Sequence, residues 1–171
     1  SEVFHNKGGF DVVIANPPFS LKNWGYENWA QDPFGRNFAG VPPESYGDFA
    51  WVQHMVKSMA PPNGRMAVIL PHGSLFRSGA EARIRKELID NDLVETIIGL
   101  GPNLFYGTGI SACILVLKLN KEKNKKNKVY FIDASNQYQK GRNQNYFLEE
   151  HTNNVLSWYE SYNDKENISR V

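Results

Sequence analysis

Cysteine is almost absent from this chain. Cys113 is the single thiol, so no disulfide can form within the chain, and one cysteine beside four histidines leaves no zinc-finger spacing and no metal-ligating set. Net charge is almost absent too: 19 basic and 18 acidic residues leave +1. That balance excludes a histone-like or acidic-tail composition. It neither favours nor excludes nucleic acid, because a local basic patch can sit on a neutral domain. Apolar runs are short. None approaches the roughly 20 residues that cross a bilayer, and the longest, around Ile110 to Leu117, has the length of a strand. No basic leader followed by an apolar stretch opens the chain, and no internal repeat is visible. The chain starts at Ser1 without Met and enters a strand almost at once. We therefore expect a piece of something longer, in a cytoplasmic setting with no membrane partner. What is present is ordinary: 171 residues, 41% apolar and 22% charged, enough for one domain or a large part of one.

Phe10 to Ala15 is nearly unbroken in its apolar character, which predicts a central parallel strand buried on both faces. Asn16-Pro17-Pro18 ends it, since neither proline donates to a ladder. Residues 20–46 are rich in Gly, Asn, Pro and Trp without a period, and a loop of that length in a compact domain tends to be functional. Phe49, Val52, Met55, Val56 and Met59 recur at helical spacing behind a possible cap at Asp48, up to Pro61-Pro62-Asn63-Gly64. Strands are predicted at Arg65 to Leu70, Val94 to Leu100, Ile110 to Leu119 and Val129 to Asp133. A helix capped by Ser78 with Ile84, Leu88 and Ile89 on its apolar stripe precedes the second of these, and an amphipathic helix spans Leu148 to Tyr162. Alternating strands and helices indicate an α/β fold with helices on both faces of a sheet. The connection before the Ile110 strand is too short for a parallel crossover. The expected outline is a parallel sheet ending in one antiparallel strand.

The sharpest chemical feature is Asn16-Pro17-Pro18-Phe19 at a strand exit. Turn chemistry alone would explain such a tetrad. Its position changes the reading, because ligands of open α/β sheets bind beyond the carboxyl ends of the strands. An exocyclic amine on a nucleobase is a poor nucleophile, since its lone pair is delocalised into the ring. Two acceptors aimed at its N–H groups would localise that pair: the Asn16 side-chain oxygen and the Pro17 carbonyl. The prolines stiffen the segment and remove competing donors. Phe19 offers a face to a base that has left its duplex. Neither a metal nor a strong base is needed if the electrophile is an activated methyl.

The segment Asp11 to Ser20 resembles the catalytic segment of amino-directed DNA methyltransferases, and more closely the modification subunit of type I restriction-modification systems. Asp48 to Met55, Gly64 to Gly73 with Ser74 to Arg77, Asn103 to Ile110 running into Ala112 to Leu117, and Gly141 to Asn145 are similar to later segments of that family, in its order. The resemblance spans roughly residues 10–146. It implies a partial Rossmann-like fold and S-adenosylmethionine-dependent methylation of adenine at its exocyclic nitrogen in duplex DNA. It implies that Asn16 and Pro17 hold the amine, Pro18 shapes the loop and Phe19 stacks the adenine. It places Asp48 and Phe49 near the cofactor, with a plain helix cap the other reading of Asp48. It brings a specificity subunit and a restriction subunit as partners. Residues 1–147 would be the C-terminal catalytic half of the domain and 148–171 a helical extension.

The family's glycine-rich cofactor turn has no counterpart here. Gly99-Leu100-Gly101 and Gly107-Thr108-Gly109 precede no helix and read as strand connections. The isolated fragment is therefore expected to be inactive. Lys22, Trp24, Arg36 and Asn37 are DNA-binding candidates by position, with loop packing the competing reading. The six lysines between Lys118 and Lys128 read as a solvated loop, His72 as a turn histidine, and Trp158 and Tyr159 as helix core. Two other functions stand beside the first: methylation of RNA or of a protein glutamine, and a catalytically silent α/β module that binds a partner.

Overall fold

The computed structural model describes residues 8–171. Six strands form one sheet in the order β1-β2-β4-β3-β5-β6. They are β1 (Val12–Ala15), β2 (Arg65–Pro71), β3 (Val94–Leu100), β4 (Ala112–Lys118), β5 (Tyr130–Ala134) and β6 (Ser169–Arg170). Strand β1 pairs parallel with β2, and β3 with β5. Strand β4 runs antiparallel to both β2 and β3. The antiparallel strand is thus fourth in sequence, as expected, but it lies inside the sheet. The crossover from β2 carries β3 one place past its neighbour, and the short connection of residues 101–111 folds β4 back into the vacancy. The two-residue β6 provides a second antiparallel strand, at the edge beside β5.

Among the described residues four α-helices accompany the sheet: α1 (Tyr26–Trp29), α2 (Asp48–Ser58), α3 (Ala80–Asp90) and α4 (Glu149–Ser161). One core joins Phe49, Val52, Met55 and Val56 of α2 and Ile84 and Leu88 of α3 to Met66, Val68 and Leu70 of β2 and Cys113, Leu115 and Leu117 of β4. These residues alternate along the strands and recur every third or fourth residue along the helices, so one face of each element is apolar. A second core on the opposite face joins Val155 of α4 to Ile98 and Leu100 of β3 and Tyr130 and Ile132 of β5. Residues 148–171 therefore belong to the same sheet, through α4 and through β6, and the expected helical extension ends in a strand.

Two local expectations are corrected. Strand β1 is not central among the described residues: it is an edge, with Val12 51% and Ile14 77% exposed, while Val13 and Ala15 pack on the first core. Its two apolar faces are genuine, but only one is covered. Ser78 does not cap α3: Gly79, with φ 74°, occupies the cap and no side chain bonds there. Glycine tolerates that backbone where serine would be strained.

Candidate functional site

Strand β1 delivers its chain to the carboxyl edge of the sheet, where residues 16–20 line a crevice of about 1070 Å³. The opposite walls come from two connections. Pro71 ends β2 and His72, Gly73, Phe76 and Arg77 follow it, while Phe105, Tyr106, Thr108, Ile110 and Ser111 precede β4. Asn16 is exposed to the crevice, and no side-chain hydrogen bond engages its amide among the described residues. Nor, among the described residues, does any backbone N–H bond the carbonyl of Pro17, although that residue is buried. Two unclaimed acceptors thus sit one residue apart, stiffened by Pro17 and Pro18. Phe19 is half-buried and meets Phe105 edge to face, with centroids 5.7 Å apart. Phe76 is 71% and Tyr106 96% exposed, so the mouth of the crevice is rimmed by unusually open aromatic rings.

A sequence model of the N-6 DNA methylase family matches residues 1–171. The chain belongs to this family. Among curated members it is 34% identical to the type I restriction enzyme MjaVII methylase subunit of Methanocaldococcus jannaschii, over 96% of this chain and 30% of that protein. It is 43% identical to the HindI methylase subunit of Haemophilus influenzae, over 72% of this chain and 27% of that one. The crystal structure of a type I restriction-modification methyltransferase subunit from Streptococcus thermophilus superposes with a TM-score of 0.85 at 38% identity, covering 95% of this chain and 34% of that one. The fold is thus that of part of a Rossmann-like methyltransferase. The chain spans about a third of the length of the relatives it matches.

Within this N-6 DNA methylase chain the residues beneath the crevice form a charged network that the sequence did not reveal. Ser20, immediately after Phe19, has φ 50°. Its backbone N–H donates to Asp48 Oδ1 (2.7 Å), and its hydroxyl donates to Asp48 Oδ2 (3.3 Å). Arg77 Nη1 donates to Asp48 Oδ2 (2.9 Å) and to Glu81 Oε1 (3.2 Å), and its Nη2 donates to Ser20 Oγ (3.1 Å). Arg77 also lies over the Tyr46 ring at 4.4 Å, and a Cβ on Gly73 would meet its Nε at 3.0 Å. Burial disfavours the charge on Arg77, but its bonds and charges from Asp48 and Glu81 outweigh that and raise its pKa. Burial raises the Glu81 carboxyl above its ordinary value, against the pull of Arg77 and with the repulsion of Asp48. The signal for this network was present in Ser20, Asp48 and Arg77, but they lie 28 and 29 residues apart and no local spacing links them.

Asp48 and Phe49 do not face a cleft. Both are 1% exposed; Phe49 belongs to the first core, and the Asp48 side chain serves the Ser20–Arg77 network and makes no cap bond. At the crevice the described residues thus present the Asn16 amide and the Pro17 carbonyl, while Asp48 and Phe49 are closed off beneath it. Of the four DNA candidates, Lys22 alone is exposed. Trp24 donates its indole N–H to Glu44 O (3.1 Å) and packs on Tyr26 and Trp29. The Asn37 amide donates to Trp29 O (3.0 Å). Arg36 forms an ion pair with Asp32 and lies over the Trp29 ring at 5.0 Å. Loop packing accounts for the geometry of these three. The lysine run is not simply solvated: Lys121 is 4% exposed and pairs with Asp92 at 2.6 Å.

The segment 141–145 also acquires a role that its sequence concealed. Asn145 bonds Pro102 O (2.9 Å) and Asn103 O (2.8 Å), while Gln144 Nε2 donates to Leu104 O (2.9 Å). It therefore buttresses the loop that brings Phe105 to Phe19. Its Gly141 cannot carry a side chain, because a Cβ there would lie 2.0 Å from Gln144 O.

Proposed function

We propose that this chain is the amine-activating part of a DNA adenine methyltransferase that works in a type I restriction-modification system. The observation that carries the reading is the pair of unclaimed acceptors, Asn16 Oδ1 and the Pro17 carbonyl, at the mouth of an aromatic crevice. Adenine, extruded from its duplex, would lay its ring against Phe19 and direct its two exocyclic N–H bonds at those acceptors. Hydrogen bonding from both N–H groups favours the pyramidal nitrogen and concentrates its lone pair on the face opposite the acceptors. S-Adenosylmethionine, held by residues outside this set, would supply the electrophilic methyl carbon. After transfer the nitrogen carries an extra proton, which is acidic and passes to solvent without a dedicated base.

A specificity subunit would choose the DNA sequence and a restriction subunit would complete the complex. Both inferences rest on relatives named as type I methylase subunits. None of the described helices is long and apolar enough to cross a membrane, and a cytoplasmic site of action agrees with DNA as substrate. Digestion of duplex DNA after incubation with labelled cofactor and a full-length methylase subunit carrying these residues, assembled with its partners, tests the reading. The label is expected in N6-methyladenine. Label in cytosine, in RNA or in a protein side chain would refute it.

A further inference from the structure

The Asn16–Phe19 segment is held at both ends. At its start, the ladder of β1 on β2 runs to the pairing of Ala15 with Val68. At its end, Ser20 adopts a left-handed backbone that a residue with a Cβ adopts only when its surroundings hold it there. What holds it is the buried Asp48 carboxylate, which takes the Ser20 N–H on one oxygen and the Ser20 hydroxyl and Arg77 on the other. Arg77 returns a bond to Ser20 Oγ, closing a ring of three side chains from the crevice loop, the start of α2 and the turn after β2. Arg85 anchors that turn from below by donating to Ser74 O (3.0 Å) and Arg77 O (2.7 Å).

Only four residues lie between the two anchors, and two of them are prolines. A shift of Ser20 must therefore appear at Asn16 Oδ1 and the Pro17 carbonyl, because the segment has few soft dihedrals to absorb it. We infer that Asp48 and Arg77 are positioning residues for methyl transfer: they set the direction of the two acceptors and touch neither cofactor nor base. A helix cap would need only Asp48, and a stabilising ion pair would need no contact with Ser20. The fork of Arg77, which bridges a hydroxyl and two carboxylates at once, is a task that a lysine ammonium on a flexible stem cannot reproduce.

This inference rests on the functional reading above, so Asn16→Ala is measured beside the clamp variants. Asp48→Asn and Arg77→Lys are placed in the full-length methylase subunit, and methyl transfer to duplex DNA is followed at saturating DNA and cofactor. Each is expected to lower kcat by about tenfold to 100-fold, the range that small misplacements of reacting groups produce. KM for DNA and the fluorescence of 2-aminopurine at the target position should remain those of the parent. A purely structural role would move the melting temperature or KM and leave kcat per folded molecule intact, and that result overturns the inference. Where Asp48→Asn does not fold, Arg77→Lys, at a partly exposed site and with its charge kept, carries the test. Full activity in both clamp variants with an inactive Asn16→Ala defeats the clamp alone. Full activity in Asn16→Ala defeats the functional reading and the clamp with it.

Discussion

Phe105 meets Phe19 edge to face, with planes at 65° and centroids 5.7 Å apart. The two rings come from opposite walls of the crevice, 86 positions apart, and each limits where the other can turn. Phe19→Ala should weaken capture of an extruded base by about 1–3 kcal/mol, the usual contribution of aromatic stacking. Phe105→Ala should lose less, about 0.5–1.5 kcal/mol, because it removes only the edge contact. Titration of DNA carrying 2-aminopurine at the target reads both. An equal or larger loss for Phe105→Ala would make Phe105 the principal stacking face.

The loop after Phe19 is fastened by Arg36. Its Nε and backbone N–H both donate to the Asp32 carboxylate (2.8 and 2.7 Å), and these bonds hold the Asp32 pKa below the ordinary value of 3.8. A depressed carboxylate contributes stability above its unfolded pKa and loses it as pH falls through the lower, folded value. The loop should therefore stay closed down to pH 3.8 and loosen below it. Trp29, under the Arg36 guanidinium, supplies the fluorescence signal, and Asp32→Asn should already show the loosened spectrum at neutral pH.

Helix α4 is tied to the sheet by Tyr159, whose hydroxyl donates to the buried Glu95 carboxylate at 2.6 Å. Burial, followed by that bond, raises the phenol pKa well above its ordinary value. Tyr159→Phe should lower stability by about 1.5–3 kcal/mol, the range for a hydrogen bond to a charged group, without affecting the crevice. Chemical denaturation with the slope unchanged is the check.

Cys113 lies wholly inside the first core, and burial pushes its thiol up to about 12. At pH 8 it should resist iodoacetamide in the folded protein and react fully in denaturant. Alkylation of the native chain at the rate of a free thiol would show that β4 opens readily.

The placement of Asn16–Phe19 at a strand exit was legible in the sequence because all four residues are contiguous and their strand is marked by its own β-branched run. Strands β2 to β5 and the three long helices were legible for the same local reason: period and terminators lie within a few residues of one another, whereas the two-residue β6 has neither and was not. The rest was not local. Nothing in Val12 or Ile14 says whether a neighbour covers that face of β1. The placement of β4 between β2 and β3 depends on where the α3 crossover lands, which no window of residues encodes. Asp48 has the spacing of a cap, and only the arrival of Ser20 and Arg77 turns it into a clamp. Arg36 and Asn37 look like free DNA contacts in a loop until Asp32 and Trp29 fold back on them.

The amide of Asn16 and the carbonyl of Pro17 stand unclaimed at the crevice mouth, and the chemistry proposed for the chain depends on them. The decisive measurement is single-turnover methyl transfer to adenine by Asn16→Ala in the full-length subunit, with DNA and cofactor saturating. Loss of one preorganised hydrogen-bonding partner at a reacting centre typically costs about 100-fold to 1000-fold, so a rate lower by at least that factor is expected, with folding and DNA affinity retained. A rate equal to that of the parent would show that the amine is activated elsewhere.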